Sequence, residues 1–339
     1  MTDACAHIHA IGTAVPPNDV HQLFIEWASR RLEDRHDNLL FKRMAGRSGI
    51  AHRWSVLTGP DAFYLGDVPP TTSERMAIYA DEAPRLALAA AAGLDVRGVT
   101  HLVVASCTGF MAPGVDQVIA ASLGLSGSVE RTLVGFMGCY AAVAALRVAH
   151  HIVRSAPEAK VLVITVELST LHLQATNRIE PLLAMLQFAD GAAAALVSAE
   201  PGGLAISDFF VAQLPDSADL IRWTIGDHGF AMHLSGAVPG RISEALHAGE
   251  LRETILHGDR WAVHAGGRSI LDAVEGALGL PTDALQASRQ VLERFGNMSS
   301  STLLFVLADM MRGATTQDGV AIAFGPGVAA EGFRFRNAR

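Results

Sequence analysis

RTLVGFMGCYAAVAALRVAHH, Arg131 to His151, reads as a short apolar strand that runs through Gly135 and Gly138 into a helix whose first residues are Cys139 and Tyr140. A cysteine at a helix start lies beside unpaired backbone N–H groups and the positive end of the helix dipole, which favours thiolate over thiol. Gly138 permits a sharp turn, and Ala141, Ala142, Ala144 and Ala145 let the helix lie deep against its neighbours. A small buried cysteine in a core helix has the same local signature. On these letters alone Cys139 is either a nucleophile or a packing residue.

Working outward, composition bounds the protein to which this segment belongs. The chain has 339 residues, 50% of them hydrophobic and 18% charged, enough for one large domain or two fused halves around a sizeable core. A net charge of −8 and the lack of any lysine or arginine run give no electrostatic footprint for nucleic acid or an anionic membrane surface. No secretory signal is read in MTDACAHIHA, and the least polar window, 132–146, is shorter than the ~20 residues of a membrane helix. A cytoplasmic protein without membrane insertion is expected. Cys5, Cys107 and Cys139 are odd in number and far apart, which suits reduced thiols. No CxxC or HxxxH spacing suggests a metal site.

Upstream, residues 8–15 predict a strand ended by Pro16 and Pro17, followed by a helix to Leu32 that Asp19 can cap. Arg43 and Arg47, four apart, would share one helical face; a solvated surface is the plain reading, a phosphate-bearing ligand the other. Residues 71–93, opening TTSE, predict a long helix, and 100–106 a buried strand that ends at the loop CTGFMAPGVD. A helix is read at 116–123, and strands at 160–167 and 191–198. Their continuous apolar runs belong to a sheet covered on both faces.

Pro201 to Gly203 marks a break. Residues 1–200 form one half, carrying Cys139, and 201–339 the other. In the second half strands are read at 204–214, 230–234, 261–264 and 319–324, and helices at 238–256, 269–278 and 283–295. The segment 296–311 is a loop entering a helix. Each half repeats a buried strand, a glycine-bearing turn and a helix packed behind it, which predicts a duplicated, layered α/β fold with its site between the halves.

Cys139, His264 and Asn297 each stand at or just past a strand end or helix start, in the contexts GCYA, VHAGG and GNMSSS. With FADGAAAAL at 188–196 between the first two and FGPGV at 324–328 after the third, this order closely resembles the type III polyketide synthases, the chalcone-synthase-like branch of the thiolase superfamily. From KRM at Lys42 to FGPG, the resemblance spans nearly the whole chain.

The resemblance implies a thiolase-like αβαβα fold, a homodimer and an acyltransferase that needs no cofactor and uses CoA thioesters as substrates. Cys139 would take an acyl group from an acyl-CoA starter, and His264 would keep the sulfur a thiolate as an imidazolium ion pair. Asn297 and His264 would donate to the thioester oxygen of malonyl-CoA and stabilise the enolate left by loss of CO2, which attacks the acyl group. Phe188 would be an aromatic gate, Met232 would stand where a second aromatic gate is found in plant members, and Ser299 would line the cavity. Arg43 and Arg47 would bind CoA phosphates, with Leu40 replacing a third, often basic, position. Gly267 to Ser269 would line the pantetheine tunnel.

Departures from the plant pattern bear on product. Trp223 takes a cavity position that is glycine in chalcone-forming members, His172 replaces a small polar residue, and Cys107 begins the CTGF loop as in several bacterial relatives. A bulky aromatic starter is disfavoured. What remains is an aliphatic acyl starter closed to a pyrone or resorcinol, the preferred reading, or a small malonyl- or acetyl-primed phenolic. A single-round ketoacyl synthase and an acyl-CoA hydrolase are the other classes.

Overall fold

The computed structural model describes residues 5–58, 69–247, 249–256, 258–313 and 318–337. In the first half the strands are β1 (Ala6–Ala14), β2 (Asn18–Asp19), β3 (Trp54–Ser55), β4 (His101–Ser106), β5 (Glu130–Gly135), β6 (Val161–Leu168) and β7 (Asp190–Ser198). In the second they are β8 (Leu204–Gln213), β9 (Ile221–Gly226), β10 (Gly229–Leu234), β11 (Arg260–Val263), β12 (Gly319–Gly325) and β13 (Ala329–Asn337). Nine of them form one mixed sheet in the order β11-β12-β13-β8-β1-β7-β6-β4-β5.

The halves meet where β1 runs antiparallel to β8 through three pairs, Ala6↔Ile206, His7↔Ala205 and Ile8↔Leu204. Outward from that seam, each half repeats the same pairings. β1–β7 and β7–β6 are antiparallel and β6–β4 parallel; β8–β13 and β13–β12 are antiparallel and β12–β11 parallel. The pairing pattern is therefore shared although the letters are not.

Strand alternation builds the layers. Along β6, Val161 and Val163 face a central layer made of helices Ala141–Ser155 and Ser301–Arg312. Leu162, Ile164 and Val166 face the other way, onto helix Thr72–Ala91. Along β12, Ala321 and Ala323 meet the same central helices, whereas Val320, Ile322 and Phe324 pack on helices Arg268–Leu278 and Gln286–Phe295. Both faces of β6 and β12 are thus apolar, as buried strands require. The result is a thiolase-like α/β sandwich with helix, sheet, helix, sheet and helix in succession.

Local signals mostly land where the chemistry put them. Thr71 caps the helix Thr72–Ala91 in a reciprocal box with Glu74. Asp19 sits one residue before the cap of the helix His21–Arg31 and accepts the N–H groups of His21 and Arg53. The helix predicted at 238–256 is two, Val238–His247 and Glu250–Leu256, separated at Gly249 with φ +96°. Arg43 and Arg47 do not share a helical face, because the helix Arg35–Ala45 ends before Arg47. The strands β9 and β13 were not anticipated: β9 is short and largely exposed, and β13 interrupts its apolar run with Glu331, Arg334 and Arg336. Among the described residues no helix is long and apolar enough to cross a membrane.

Candidate active site

Cys139 lies not in the α-helix itself but in the 3-10 turn Gly138–Tyr140 that feeds the helix Ala141–Ser155. Gly138 has φ +70°, and a Cβ there would stand 2.4 Å from Cδ of Pro326, so both the backbone angle and the space demand glycine. A Cβ on Gly325 would approach Tyr140 at 2.7 Å and the Cys139 nitrogen at 3.3 Å. This is why FGPGV, far off in sequence, belongs to the same site: it wraps the turn that presents the sulfur.

The start of the other central helix faces that turn. Ser299, with φ +48°, places its hydroxyl 3.8 Å from the Cys139 sulfur. Asn297 is fixed by two bonds: its Oδ1 accepts the Ser299 N–H at 2.8 Å, and its Nδ2 donates to the Gly266 carbonyl at 3.1 Å. The amide is thereby oriented, its acceptor used within the turn and one Nδ2 hydrogen left over to donate. His264, at the end of β11, is buried, and neither of its ring nitrogens has a hydrogen-bond partner. Asn297 therefore does not orient His264, as it would in a cysteine-protease arrangement; the two are independent donors.

Electrostatics correct one expectation. Burial pushes the Cys139 thiol up to about 12; the Glu167 charge adds to the rise, against hydrogen bonds from Ser299, Asn297 and its own backbone N–H. Burial alone pushes His264 down to about 3. Both shifts oppose charge: they run against the thiolate that a helix start favours and against the thiolate–imidazolium pair that the resemblance implies. Desolvation outweighs the few local N–H groups.

Glu167, at the end of β6, was missed. It accepts from the Cys107 N–H at 3.0 Å, from the Thr108 hydroxyl at 2.9 Å and from the Ser300 hydroxyl, and burial raises it to about 7. Its signal was available: one carboxylate closing an otherwise apolar strand. Cys107 accepts the Gly138 N–H at 3.0 Å, which ties the CTGF loop to the nucleophile turn.

A second cluster adjoins the first. Phe188 bridges backbone to backbone with Asn297 and stands edge-on to Trp223 at 6.0 Å. Met232 is the cross-strand partner of Trp223 in the β9–β10 hairpin. His172 donates from Nε2 to the Thr108 carbonyl, accepts the Phe230 N–H at Nδ1, and stacks on Phe230 at 4.0 Å. With both nitrogens engaged and its pKa lowered to about 4 by burial, it is a neutral wall residue. Phe188, His172, Trp223 and Met232 all line one cavity, reaching to Phe24, Arg53, Leu57 and Ser169. Trp223 also lines a second cavity, beside Cys107 and Gly138, and so stands between the two.

Of the remaining predicted residues, Arg47 and the 267–269 turn are brought together: Arg268 Nη1 donates to the Arg47 carbonyl at 3.4 Å. A Cβ on Gly267 would meet Gln187 Oε1 at 3.0 Å. Ser269 and Arg43 are exposed, and Arg43 stands on the helix Arg35–Ala45 apart from the others.

Comparison with known proteins follows the same geometry. Residues 1–201 match the family model for the N-terminal domain of chalcone and stilbene synthases, and 204–338 match that for the C-terminal domain. The chain is 37% identical over 292 residues to the alpha-pyrone synthesis polyketide synthase-like Pks18 of Mycobacterium tuberculosis, covering 79% of this chain and 74% of that protein. It is 33% identical over 369 residues to bisdemethoxycurcumin synthase of Oryza sativa subsp. japonica, covering 97% and 92%. Among solved structures, the C-terminal type III polyketide synthase domain of Steely1 from Dictyostelium superimposes with a TM-score of 0.90 at 26% identity, over 99% of this chain and 100% of that one.

Proposed function

Given that the chain belongs to the chalcone and stilbene synthase family and is a type III polyketide synthase, we propose that it loads an aliphatic acyl group from acyl-CoA onto Cys139 and extends it with malonyl-CoA, repeatedly, before closing a pyrone or resorcinol ring. The observation that carries this is the grouping around one thiol of Asn297, whose Nδ2 has a second hydrogen beyond its bond to Gly266, and of His264, whose buried ring nitrogens have no partner. Buried polar groups left without partners are costly in a finished core and useful where a substrate supplies the partner.

The resting protonation states set the order of events. The thiol proton passes to neutral His264 as the sulfur attacks the starter thioester, and from His264 to the departing CoA sulfur. Asn297 and His264 then donate to the malonyl thioester oxygen. Loss of CO2 leaves negative charge on that oxygen, and the enolate carbon attacks the acyl carbon, freeing Cys139. Each such donor contributes roughly 3 kcal/mol to lowering the barrier. No cofactor and no carboxylate base is needed, since decarboxylation makes the carbanion.

An aliphatic starter is supported by the mostly apolar walls of the cavity beside Phe188 and by Trp223, whose ring occupies part of it. The printed activity of the Mycobacterium relative, alpha-pyrone synthesis, favours a pyrone. We further read Arg47 and the 267–269 turn as the phosphate and pantetheine side of a CoA passage, and the protein as a homodimer acting in the cytoplasm.

The test is to incubate the purified protein with malonyl-CoA and acetyl-, medium-chain, long-chain and aromatic acyl-CoAs, with Cys139→Ala as control, and identify products by mass. Pyrones or resorcinols from the unaltered protein alone, best with medium or long chains, bear the reading out. Free acids only would mean a hydrolase, a single condensation product a one-round synthase, and product from malonyl-CoA without starter the small phenolic.

A further inference from the structure

Phe188 and Asn297 are joined through their backbones. The Asn297 N–H donates to the Gln187 carbonyl at 2.9 Å, and the Ala189 N–H donates to the Asn297 carbonyl at 2.9 Å. One long side chain from a distant segment holds this bridge. Arg53 Nη1 donates to the Phe188 carbonyl at 2.7 Å and to the Met185 carbonyl at 3.2 Å. The stem of Arg53 backs the residue before Asn297: a Cβ on Gly296, whose φ is +71°, would stand 2.9 Å from Arg53 Cγ. Neighbours of Arg53 reach the same loop. The N–H groups of Ala51 and His52 donate to the Glu293 carbonyl at 2.8 and 3.1 Å, and the Trp54 indole donates to the Arg294 carbonyl at 2.9 Å. Residues 51–54 of the first half thus strap down residues 293–297 of the second.

A guanidinium at 2% exposure is costly to bury, and this one is braced on its far side. Nε donates to His21 Nδ1 at 3.0 Å, the Arg53 N–H donates to Asp19 Oδ1 at 3.2 Å, and Asp19 and Asp190 supply countercharge. The planar fork fixes the direction of each donor, whereas a lysine has one nitrogen and could not bind His21 and Phe188 together. We infer that Arg53 is a positioning residue for condensation: it fixes the Phe188–Asn297 bridge and so aims the Asn297 amide at the malonyl thioester. Cys139 is set by other parts, the Gly138 turn against Pro326, so its loading should not depend on Arg53. The inference rests on the reading of Asn297 as an enolate donor given above.

The experiment separates loading from decarboxylation in Arg53→Lys. Decanoyl-CoA, or acetyl-CoA if the unaltered protein takes only that, is supplied alone and the Cys139 acyl-enzyme is weighed by intact-protein mass spectrometry. Malonyl-CoA labelled at its carboxylate is supplied alone and release of CO2 is followed. Loading should stay within a few-fold of the unaltered protein, while CO2 release falls about 30-fold. In an Asn297→Ala background the same substitution should cost no more than about twofold further, because the donor it aims is already gone. His21→Phe keeps a ring but removes the acceptor of Nε, and should lower CO2 release several-fold; His21→Asn returns an acceptor and should recover most of it. That pair decides if Arg53→Lys does not fold. Loading that falls in step with CO2 release would mean that Arg53 serves the fold at large, and an undiminished loss in the Asn297→Ala background would mean that it acts through something else; either overturns the inference. CO2 release equal to that of the unaltered protein overturns it too, leaving the condensing reading intact. If the unaltered protein itself releases no CO2, that reading fails and this inference falls with it.

Discussion

Replacing Glu167 by glutamine removes a buried negative charge that raises the Cys139 thiol, yet keeps an acceptor for the Cys107 N–H and the Thr108 hydroxyl while Ser300 can turn to accept from the new amide. The pH profile of Cys139 alkylation by iodoacetamide should therefore move to lower pH, with the rate at mildly alkaline pH rising about threefold; an unmoved profile would remove Glu167 from the electrostatics of the sulfur. For Asn297→Ala, starter loading should survive within a few-fold, while condensation falls about 100-fold. Acyl-enzyme mass and product release, measured on one sample, separate the two. Cys139, His264, Asn297 and Phe188 could be picked out of the sequence because each sits in a motif. Arg53 could not, since an isolated charge does not reveal that it will be buried, and Asp190, though inside FADGAAAAL, carried no sign that it would lie near Arg53. The electrostatics of Cys139 were only half legible for a related reason: a helix start is visible in the letters, but the desolvation that opposes it depends on everything packed around the sulfur.

Turns, more than the regular elements they join, set the geometry of this protein. Gly138→Ala combines a left-handed backbone angle with overlap against Pro326, and should lower the melting temperature by an amount equivalent to about 3 kcal/mol. Gly46→Ala, where a Cβ meets only helix carbonyls at 3.5 Å or more and φ is −65°, serves as the comparison and should be neutral or better. Trp223 tests the hairpin. Since it lines the cavities on both sides, Trp223→Ala should join them, and the product mixture should shift toward longer or bulkier starters. An unchanged product profile by mass would show that the hairpin does not set length. The long helices and apolar strands were readable because their periodicity is strong. The β9–β10 hairpin was half-seen: β9 alternates apolar and polar residues, but it is short and largely exposed and so lacks the apolar run that marked the other strands. The break at Gly249 was hidden by good helix formers on both sides, and the premature end of the Arg35–Ala45 helix separated two arginines whose spacing alone had joined them.

Buried titratable groups make the whole fold sensitive to pH in opposing directions. His21, His172 and His264 are held near 4, 4 and 3, below the 6.5 of an unfolded histidine, so the unfolded chain binds more protons and stability rises with pH between those limits. Glu167 and Asp190 are held near 7 and 6, above their unfolded 4.5 and 3.8, so each removes stability as pH rises through its own window. His7, His9 and His150, which burial also lowers, join the rising side and Glu331, which burial raises, joins the falling one; the rising side prevails, and thermal stability should climb from acid pH and level off near pH 6 to 7. Glu167→Gln removes one falling contribution. Its melting temperature should match the unaltered protein at about pH 4 and exceed it increasingly toward pH 7, by at most about 3 kcal/mol; a gap independent of pH would refute that account. The layered α/β class was legible from buried strands alternating with helices. The shared pairing order of the halves was not, because it resides in hydrogen bonds and not in letters. At the β1–β8 seam that order meets itself across three residue pairs, and the chain crosses from one half to the other once, at Pro201 to Gly203. The consequence is genetic as well as structural. A coding sequence interrupted at this crossing would put the nucleophile on one polypeptide and His264 with Asn297 on another, so that neither alone would hold the whole site.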